Sequence, residues 1–271
     1  MNIVLLSDTH LSPRGPSLNA NFVCAWRWIA AQQPDLVVHL GDVSADGEHD
    51  ASELAHAAAM LDGLTMPLRL LPGNHDVGDA PTPAAMQAWQ TAFGEDCWLI
   101  DAGRWRLLGL NAQLLGLGDV QEHRQWRWLD AALGDHQGPL GLLLHKPLLR
   151  IGAPSGGRYV DASAAERLQA RLRRHDLRFV ASGHTHQSLS CVDAGIEHRW
   201  VPSTAFVIPD AMQEHIGDKR VGVTSLQLSD SAHRFGIIEP PGLIAHSLLD
   251  LESVYPEVAA VKRRLADDGL L

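Results

Sequence analysis

Short apolar runs alternate with longer amphipathic segments over the first 180 residues. Five runs have the length and composition of buried β-strands, at residues 3–6, 36–40, 68–71, 140–144 and 179–181. Between them, apolar residues recur at helical spacing over residues 21–33, 51–64, 84–93, 121–133 and 162–173. Strands that alternate with helices predict a parallel sheet covered by helices.

The pattern changes after residue 183, where short β-like runs follow one another without helices. They cover residues 189–192, 199–201, 221–228 and 233–238. Ser229-Asp230-Ser231 separates the last two and is typical of a hairpin turn. This antiparallel half, added to the parallel half, predicts an α/β fold with a two-sheet core and helices outside. Pro240-Pro241-Gly242 then divides the chain into a domain over 1–240 and a C-terminal tail over 241–271, which ends in a helix at 256–265.

Composition narrows the class of protein. Hydrophobic residues make up 45% of the 271 positions and charged residues 20%, which predicts a folded chain with a sizeable core. The net charge of −10 disfavours long nucleic acids as partners and argues against a nuclease. No window approaches the roughly 20 apolar residues of a membrane span. The first apolar run leads directly into a polar motif rather than a signal-peptide pattern, so we expect a cytoplasmic protein without membrane association.

Each of these five strand-like runs ends at residues of the types that bind metal ions in proteins. The motifs are Asp8-Thr9-His10, Gly41-Asp42, Gly73-Asn74-His75-Asp76, His145 and Gly183-His184-Thr185-His186. Ligands of open α/β sheets bind beyond the carboxyl ends of the strands, so these motifs are expected to meet at one edge of one sheet. Two of them contain a pair of candidate ligands two positions apart, which an extended backbone would point to the same side.

The donor types indicate a metal centre. The candidate ligands are Asp8, His10, Asp42, Asn74, His145, His184 and His186. Oxygen and imidazole donors without thiolate suit Mn, Fe or Zn rather than calcium or an iron–sulfur cluster. Seven donors exceed the needs of one ion, and Asp42 is the natural bridge between two. Two ions roughly 3.5–4 Å apart stabilise both the attacking and the leaving oxygen of a phosphoryl transfer and lower the pKa of bound water.

His75 and Asp76 are assigned to catalysis rather than to the metals. Of three consecutive side chains only one readily reaches a given ion, and Asn74 takes that place. We therefore expect His75 to act on the substrate as a cation or proton donor, with Asp76 holding its ring.

The ordered motifs resemble the calcineurin-like metallophosphoesterase superfamily, over residues 1 to about 205. The resemblance implies a four-layer α/β/β/α sandwich of two mixed sheets flanked by helices, with two divalent metal ions (Mn or Fe favoured, Zn also suitable). It implies two ligand sets that share one carboxylate, namely Asp8, His10, Asp42 and His186 for one ion and Asp42, Asn74, His145 and His184 for the other. It further implies that His75 protonates the leaving group or stabilises the transition state.

Within the superfamily the chain is most similar to the class III cyclic-nucleotide phosphodiesterase-like group. The similarity lies in Leu110-Asn111-Ala112, in residues 125–130 and in His145-Lys146-Pro147. That group usually carries Leu-Asp-Ser and His-His-Pro-Pro, so Asn111 and Lys146 depart from it. Serine/threonine protein phosphatases show Gly-Asn-His-Glu instead, and Asp76 argues against them.

These features predict an enzyme that hydrolyses small phosphodiesters, such as cyclic nucleotides or other nucleotide or glycerol diesters, by attack of a hydroxide that bridges two ions. A phosphomonoesterase or a nucleotide pyrophosphohydrolase would use the same site. A non-catalytic scaffold would require a missing ligand, and none is missing. The segment 146–159, with Arg150 and Arg158, is expected to shape the entrance.

The tail carries more apolar residues than a monomer can leave exposed. They are Leu248, Leu249, Leu251, Val254, Val258, Val261 and Leu265. We expect them to pack on the chain's own core or, as the favoured alternative, on a second copy, which gives a homodimer or a higher homo-oligomer. Because the tail follows all five motifs, the metals are expected not to depend on it.

Overall fold

The predicted strands lie in two mixed sheets. The structure is a computed structural model that describes residues 1–152 and 157–270. The strands are β1 Asn2–Leu6, β2 Leu36–His39, β3 Leu68–Leu70, β4 Trp98–Ala102, β5 Trp105–Gly109, β6 Pro139–Leu144, β7 Asp176–Ser182, β8 Leu189–Asp193, β9 Ile196–Trp200, β10 Phe206–Val207, β11 Val223–Leu228, β12 His233–Ile238 and β13 His246–Ser247. The helices are α1 Pro16–Gln32, α2 Ala51–Leu61, α3 Asn74–Val77, α4 Pro83–Phe93, α5 Val120–Leu133, α6 Ala162–Leu172 and α7 Val258–Asp267.

The first sheet has five strands in the order β12-β11-β1-β2-β3. Strands β1, β2 and β3 are parallel, whereas β11 and β12 are antiparallel to their neighbours. The second sheet has six strands in the order β4-β5-β6-β7-β9-β8, with a parallel centre and an antiparallel pair at each edge. The late antiparallel runs are therefore divided between the two sheets and do not form a half of their own.

Three apolar clusters define four layers. One cluster lies between the sheets and contains alternate side chains of β1, β2, β6 and β7, such as Leu5, Val38, Leu143 and Phe179. A second joins the outer face of the first sheet to α1, α2 and α4. A third joins the outer face of the second sheet to α5 and α6. The predicted α/β/β/α sandwich of two mixed sheets is confirmed.

Among the described residues, no helix is long and apolar enough to cross a membrane.

Capping residues explain where the middle helices begin. Thr82 accepts a hydrogen bond from the Ala85 N–H, and Pro83 follows it in the first turn of α4, where its missing N–H has no cost. Asp119 caps α5 by accepting from the Glu122 N–H at 2.8 Å. The Gly-Asp pair at 118–119 is thus a helix start, unlike the same pair at 41–42.

The tail packs on its own chain. Its buried apolar residues contact the start of α1, the loop after β2 and the strand β10, and they are Leu249, Leu251, Val254, Val258 and Leu265. Leu248 and Val261 are half-buried against the same cluster. Packing of the tail on the chain's own core, one of the two alternatives, is therefore observed, and packing on a second copy stays a prediction. The homodimer and the boundary at residue 240 stay predictions, and residue 271 lies outside the described part of the chain.

The hairpin of β4 and β5 was missing from the predicted elements. Its register pairs Trp98 with Gly109 and Ala102 with Trp105, at the edge of the second sheet. Both tryptophans are buried, with 4% and 1% of their surface exposed. Charged residues interrupt the apolar pattern of both strands, which hid them from a search for continuous apolar runs.

Candidate metal centre

All five motifs lie at the same end of the two sheets. The predicted ligands follow the strands in the order Asp8 and His10 after β1, Asp42 after β2, Asn74 after β3, His145 after β6, and His184 and His186 after β7. Within each sheet these strands are parallel, so their carboxyl ends point the same way. The distant ligands converge, although at the ends of two sheets and not of one. Donor atoms of six of them and of His75 form three groups in which all members lie within 4.8 Å of one another.

Most of the candidate ligands have a left-handed backbone. The φ angles are 54° at Asp8, 46° at His10, 53° at Asp42, 68° at His184 and 52° at His186. Among the other described non-glycine residues only Gln33 and Ala194 share this conformation. The expectation that an extended backbone directs each pair to one side is therefore wrong. Sharp left-handed turns direct them instead, and such strain concentrates at functional sites.

Two motif glycines leave room for the ligands. A Cβ atom on Gly41 would lie 2.6 Å from Nδ1 of His145, and Gly41 itself has a φ of 105°. A Cβ on Gly73 would overlap the carboxylate and the backbone nitrogen of Asp42. The glycines are thus required because ligand side chains pass directly over their Cα atoms.

The first group of donors consists of Asp8, His10 and His186, all buried. Nε2 of His10 lies 3.2 Å from Nε2 of His186. Oδ1 of Asp8 lies 3.4 Å from the same His186 nitrogen, and it is buried with no hydrogen-bond donor among the described residues. The other Asp8 oxygen accepts from the backbone N–H of His184 at 3.0 Å.

The second group surrounds Nε2 of His145. Three acceptor atoms lie near it: Oδ2 of Asp42 at 3.3 Å, Oδ1 of Asn74 at 3.2 Å and Nδ1 of His184 at 3.1 Å. Asp42 also belongs to a third group, together with His10 and His75, and its Oδ2 lies 3.8 Å from Nε2 of His10. One carboxylate oxygen therefore faces an imidazole nitrogen of both groups, as expected for a bridging residue.

Hydrogen bonds on the far side of each ring fix the imidazole tautomers. The partners are Leu40 O for His145 Nδ1 at 2.8 Å, Phe206 O for His186 Nδ1 at 3.0 Å, Gly157 O for His184 Nε2 at 3.1 Å and Tyr255 Oη for His10 Nδ1 at 2.7 Å. A carbonyl oxygen only accepts, so in His145, His184 and His186 the ring nitrogen that faces it carries a proton, whereas the Tyr255 hydroxyl can pair with either tautomer of His10. The other ring nitrogens face one another and carboxylate oxygens, an arrangement that repels unless protons or metal cations lie among them. Metal-bound histidines show this pattern of outer partners, and the residues present fit a pair of divalent ions.

The buried carboxylates of Asp8 and Asp42 are both ionised at neutral pH. Burial on its own would raise the pKa of Asp42, but His145 and His75 outweigh it and hold that pKa well below its usual range. Burial is likewise outweighed at Asp8, where His186 lowers the pKa. Two buried carboxylates with depressed pKa values give the centre the negative charge that divalent ions require.

The histidines differ in charge when no metal is bound. Burial opposes a charge on His145, but Asp42 outweighs burial and raises the pKa of His145 to about 9. Burial lowers the pKa of His184 to about 3, with a further contribution from His145. Burial and the neighbouring His75 lower the pKa of His10. Of these three rings, His145 is therefore the one that is positively charged at neutral pH when no metal is bound.

His75 lies beside the first group but is held differently. Its ring is 4.7 Å from the ring of His10, and its backbone N–H donates to Oδ1 of Asp42 at 2.9 Å. Nδ1 donates to the carbonyl oxygen of Ala45 at 2.8 Å, which leaves Nε2 for the cavity. The interpretation in which Asp76 holds this ring is wrong, since the Ala45 carbonyl has that role.

Asp76 instead ties two ligand loops together. Its buried carboxylate accepts from the backbone N–H groups of Gly73, Val43 and Ser44, at 2.8 to 3.1 Å. Burial and the nearby Asp42 raise the pKa of Asp76 to about 6. Because one side chain bonds the loops after both β2 and β3, Asp76 fixes the position of Asp42 relative to Asn74.

Tyr255 is a residue of the centre that the sequence did not reveal. Its hydroxyl contacts His10, and its ring lies 5.7 Å from that of His75. Burial and the nearby Asp42 raise the pKa of Tyr255 well above its usual value, so the phenol stays protonated. The chain has two tyrosines, but no spacing related either of them to the motifs. Proximity arises only because the tail folds back over β10.

A cavity of about 470 Å³ opens beside both donor groups. Gly157 and Arg158 line it, as predicted for part of the entrance segment, whereas Arg150 donates to the Val160 carbonyl. Residues 153–156 of that segment lie outside the described part of the chain. Lys146, which replaces the second histidine of the resembled group, pairs with Asp79 at 2.7 Å.

Comparisons with known proteins agree with this geometry. A family model for calcineurin-like phosphoesterases matches residues 1–188. A probable cyclic nucleotide phosphodiesterase of Synechococcus sp. is 27% identical over 185 residues, which cover 68% of this chain and 70% of the relative. Another from Psychrobacter arcticus is 24% identical over 255 residues, 85% of this chain and 90% of the relative.

A solved structure gives the same result for the fold. The dimetal phosphatase from Danio rerio superposes with a TM-score of 0.64 at 15% identity, over 88% of this chain and 95% of the other. The family match extends over more than half of the sequence and includes all five motifs. The chain therefore belongs to the calcineurin-like phosphoesterase family, and it is a hydrolase.

Proposed function

We propose that this chain is a two-metal phosphodiesterase that hydrolyses small phosphodiesters. The observation that carries the proposal is the shared position of Asp42, whose Oδ2 faces His10 at 3.8 Å and His145 at 3.3 Å. One carboxylate between two donor groups suits two ions and not one.

The two proposed ligand sets follow the donor groups. Asp8, His10, Asp42 and His186 would hold one ion, and Asp42, Asn74, His145 and His184 the other. The mixture of oxygen and imidazole donors favours Mn or Fe, and Zn is also suitable. When bound, such ions supply a nucleophilic hydroxide at neutral pH and positive charge for the phosphoryl oxygens.

The chain's own residues supply the remaining chemistry. His75 donates one ring proton to the Ala45 carbonyl, which fixes the ring with Nε2 towards the cavity. A proton on Nε2 is placed to reach the oxygen of the departing alcohol, so His75 is the proposed general acid. Asp76 holds the loops on which Asp42 and Asn74 stand, and its role is to position them.

A diester is the proposed substrate class because two relatives carry names of probable cyclic nucleotide phosphodiesterases. The cavity has room for a phosphate and one organic group, since about 470 Å³ is within the usual range of ligand sites. Monoesters and pyrophosphates remain as test substrates against which the preference is measured.

Asp42→Asn tests the proposal. The substitution keeps the size of the side chain but removes the shared charge, so both ions should be lost and hydrolysis of bis(p-nitrophenyl) phosphate should fall to background. Metal content is measured by plasma mass spectrometry after gel filtration of protein loaded with Mn or Zn. Asp135→Asn, the same change in an exposed loop after α5, is the control and should keep both.

Two results would contradict the proposal. Two ions that stay tightly bound to Asp42→Asn would exclude a bridging carboxylate. A wild-type protein that cleaves p-nitrophenyl phosphate with a higher kcat/KM than the diester would make the protein a monoesterase.

A further inference from the structure

The cavity beside the metal centre has two unlike sides. One side carries the candidate ligands and His75. The other side is apolar and begins at Phe206, whose ring packs on the rings of His10 and His186 at 4.9 and 4.4 Å. It continues over Ile208, Met212, Leu248, Val258 and Val261. They come from the segment that begins at β10 and from the tail, so two parts of the chain distant in sequence form one surface, which we call the apolar wall.

The apolar wall is backed by packed structure. Phe206 and Val258 are buried, with 3% and 2% of their surface exposed, and belong to the cluster that the tail forms with α1. Ile208, Met212 and Val261 pack against this cluster but keep part of their surface open. The wall therefore has a fixed shape, and its open part faces the cavity, where a ligand can remove it from water.

The charged residues around the cavity do not favour a substrate that carries a second anionic group. Among the described residues that line the cavity, Arg158 is the one with a permanent positive charge, and its guanidinium pairs with Glu214 at 3.3 Å. Lys146 is engaged by Asp79, which also lines the cavity. Glu257 adds a negative charge next to the wall. A polyphosphate or a substrate with a distant carboxylate would meet repulsion here.

We propose that the apolar wall binds an uncharged alkyl or aryl substituent of the phosphodiester and thereby determines substrate specificity. The inference rests on the proposed function, because it places the phosphate at the metal centre. The substituent then extends from phosphorus onto Ile208, Met212 and Val261, away from the ligands. Substrates of this class are small diesters with one apolar organic group, in preference to compounds with several phosphates.

Binding of alkylphosphonates tests the wall without any turnover. Each has one anionic head for the metal centre and one organic group, so a series from methyl to hexyl varies only the apolar part. Transfer of a methylene from water to an apolar site strengthens binding roughly fourfold. The dissociation constant of the metal-loaded protein, measured by calorimetry, should fall by about that factor per methylene until the wall is covered.

Variants locate the effect on the wall. On the open part of the wall, Val261→Thr exchanges a methyl group for a hydroxyl and Ile208→Thr exchanges an ethyl group for a hydroxyl. Both should flatten the gradient with chain length, while methylphosphonate binds as before. Val192→Thr, on an edge strand where 71% of the side chain is exposed, is the matched control and should leave the gradient unchanged. Phosphonopropionate, which ends in a carboxylate, should bind more weakly than butylphosphonate.

The possible failures separate the two proposals. If methylphosphonate does not bind to the metal-loaded protein, the anion site at the metals is absent and the proposed function falls with the wall. If methylphosphonate binds but hexylphosphonate binds no better, only the wall is overturned. A gradient that stays equally steep in both threonine variants also overturns it.

Discussion

Replacement of Tyr255 by phenylalanine tests whether the tail supports the metal centre. The Tyr255 hydroxyl lies 2.7 Å from Nδ1 of His10, in a buried position with 6% of the tyrosine exposed. Phenylalanine keeps the ring and its contact with Phe206, whose centroid is 5.9 Å away. The substitution therefore removes one hydrogen bond and little else.

The expected loss of metal affinity follows from the hydrogen-bond donor that Tyr255→Phe leaves without a partner. With Nε2 of His10 turned to the centre, Nδ1 carries a proton that loses its acceptor, and a buried unpaired donor costs about 1–3 kcal/mol. About 1.4 kcal/mol corresponds to a tenfold change in an equilibrium constant. Outer partners of metal-bound histidines typically contribute 10- to 100-fold in affinity. We expect the metal to bind about 10- to 100-fold more weakly at the site that contains His10.

The assay is a titration of metal-free protein with Mn²⁺ or Zn²⁺ against a fluorescent chelator. Tyr159→Phe is the control, because Tyr159 is also buried and its hydroxyl donates to the Ile151 carbonyl and not to a candidate ligand. It should lose stability without loss of metal affinity. Equal metal affinity for Tyr255→Phe and the wild type would refute the supporting role, as would an equal loss in the control.

His75→Ala should keep the metal content but lower kcat roughly 10²- to 10⁴-fold, and by less for nitrophenyl esters, whose leaving group needs no proton; a fall in metal content would make His75 a ligand. Because burial is outweighed by Asp42 and the pKa of His145 is about 9, this ring is charged in the metal-free protein at neutral pH and must lose a proton when the metal binds. Affinity at that site should therefore rise about tenfold per pH unit between about pH 6.5 and 8.5, and chelator competition that shows a flat profile contradicts this. Light scattering at micromolar concentration tests the predicted homodimer, and the mass of a single chain would show it wrong.

Sequence reasoning predicted the fold and the meeting of the ligands because both follow from periodicity. Parallel strands place their carboxyl ends at one edge, so motifs at those ends must approach one another whatever their distance in sequence. The alternation of strands and helices indicated a core of sheets with helices outside, whereas the four-layer arrangement was implied by the resemblance to the superfamily. Asp8 and His186, far apart along the chain, lie 3.4 Å from each other at the nearest atoms.

Details that depend on packing could not be predicted. Neighbours in sequence suggested that Asp76 orients His75, but the helical turn of α3 points the carboxylate back to the backbone of Val43 and Ser44. The left-handed φ of the ligands follows from the turns that leave each strand, which periodicity does not report. Tyr255 approaches His10 only once the tail has docked, and no local pattern encodes such a contact.

The position of Tyr255 in the chain has a consequence for biosynthesis. A ribosome releases the N-terminal part first, so every candidate ligand up to His186 leaves it before the tail does. The strands and their ligand loops can then assemble while the outer partner of His10 is still missing. In contrast to the expectation from the sequence that the metals do not depend on the tail, we expect a ribosome-stalled chain that lacks the tail to bind metal about 10- to 100-fold more weakly at the site that contains His10.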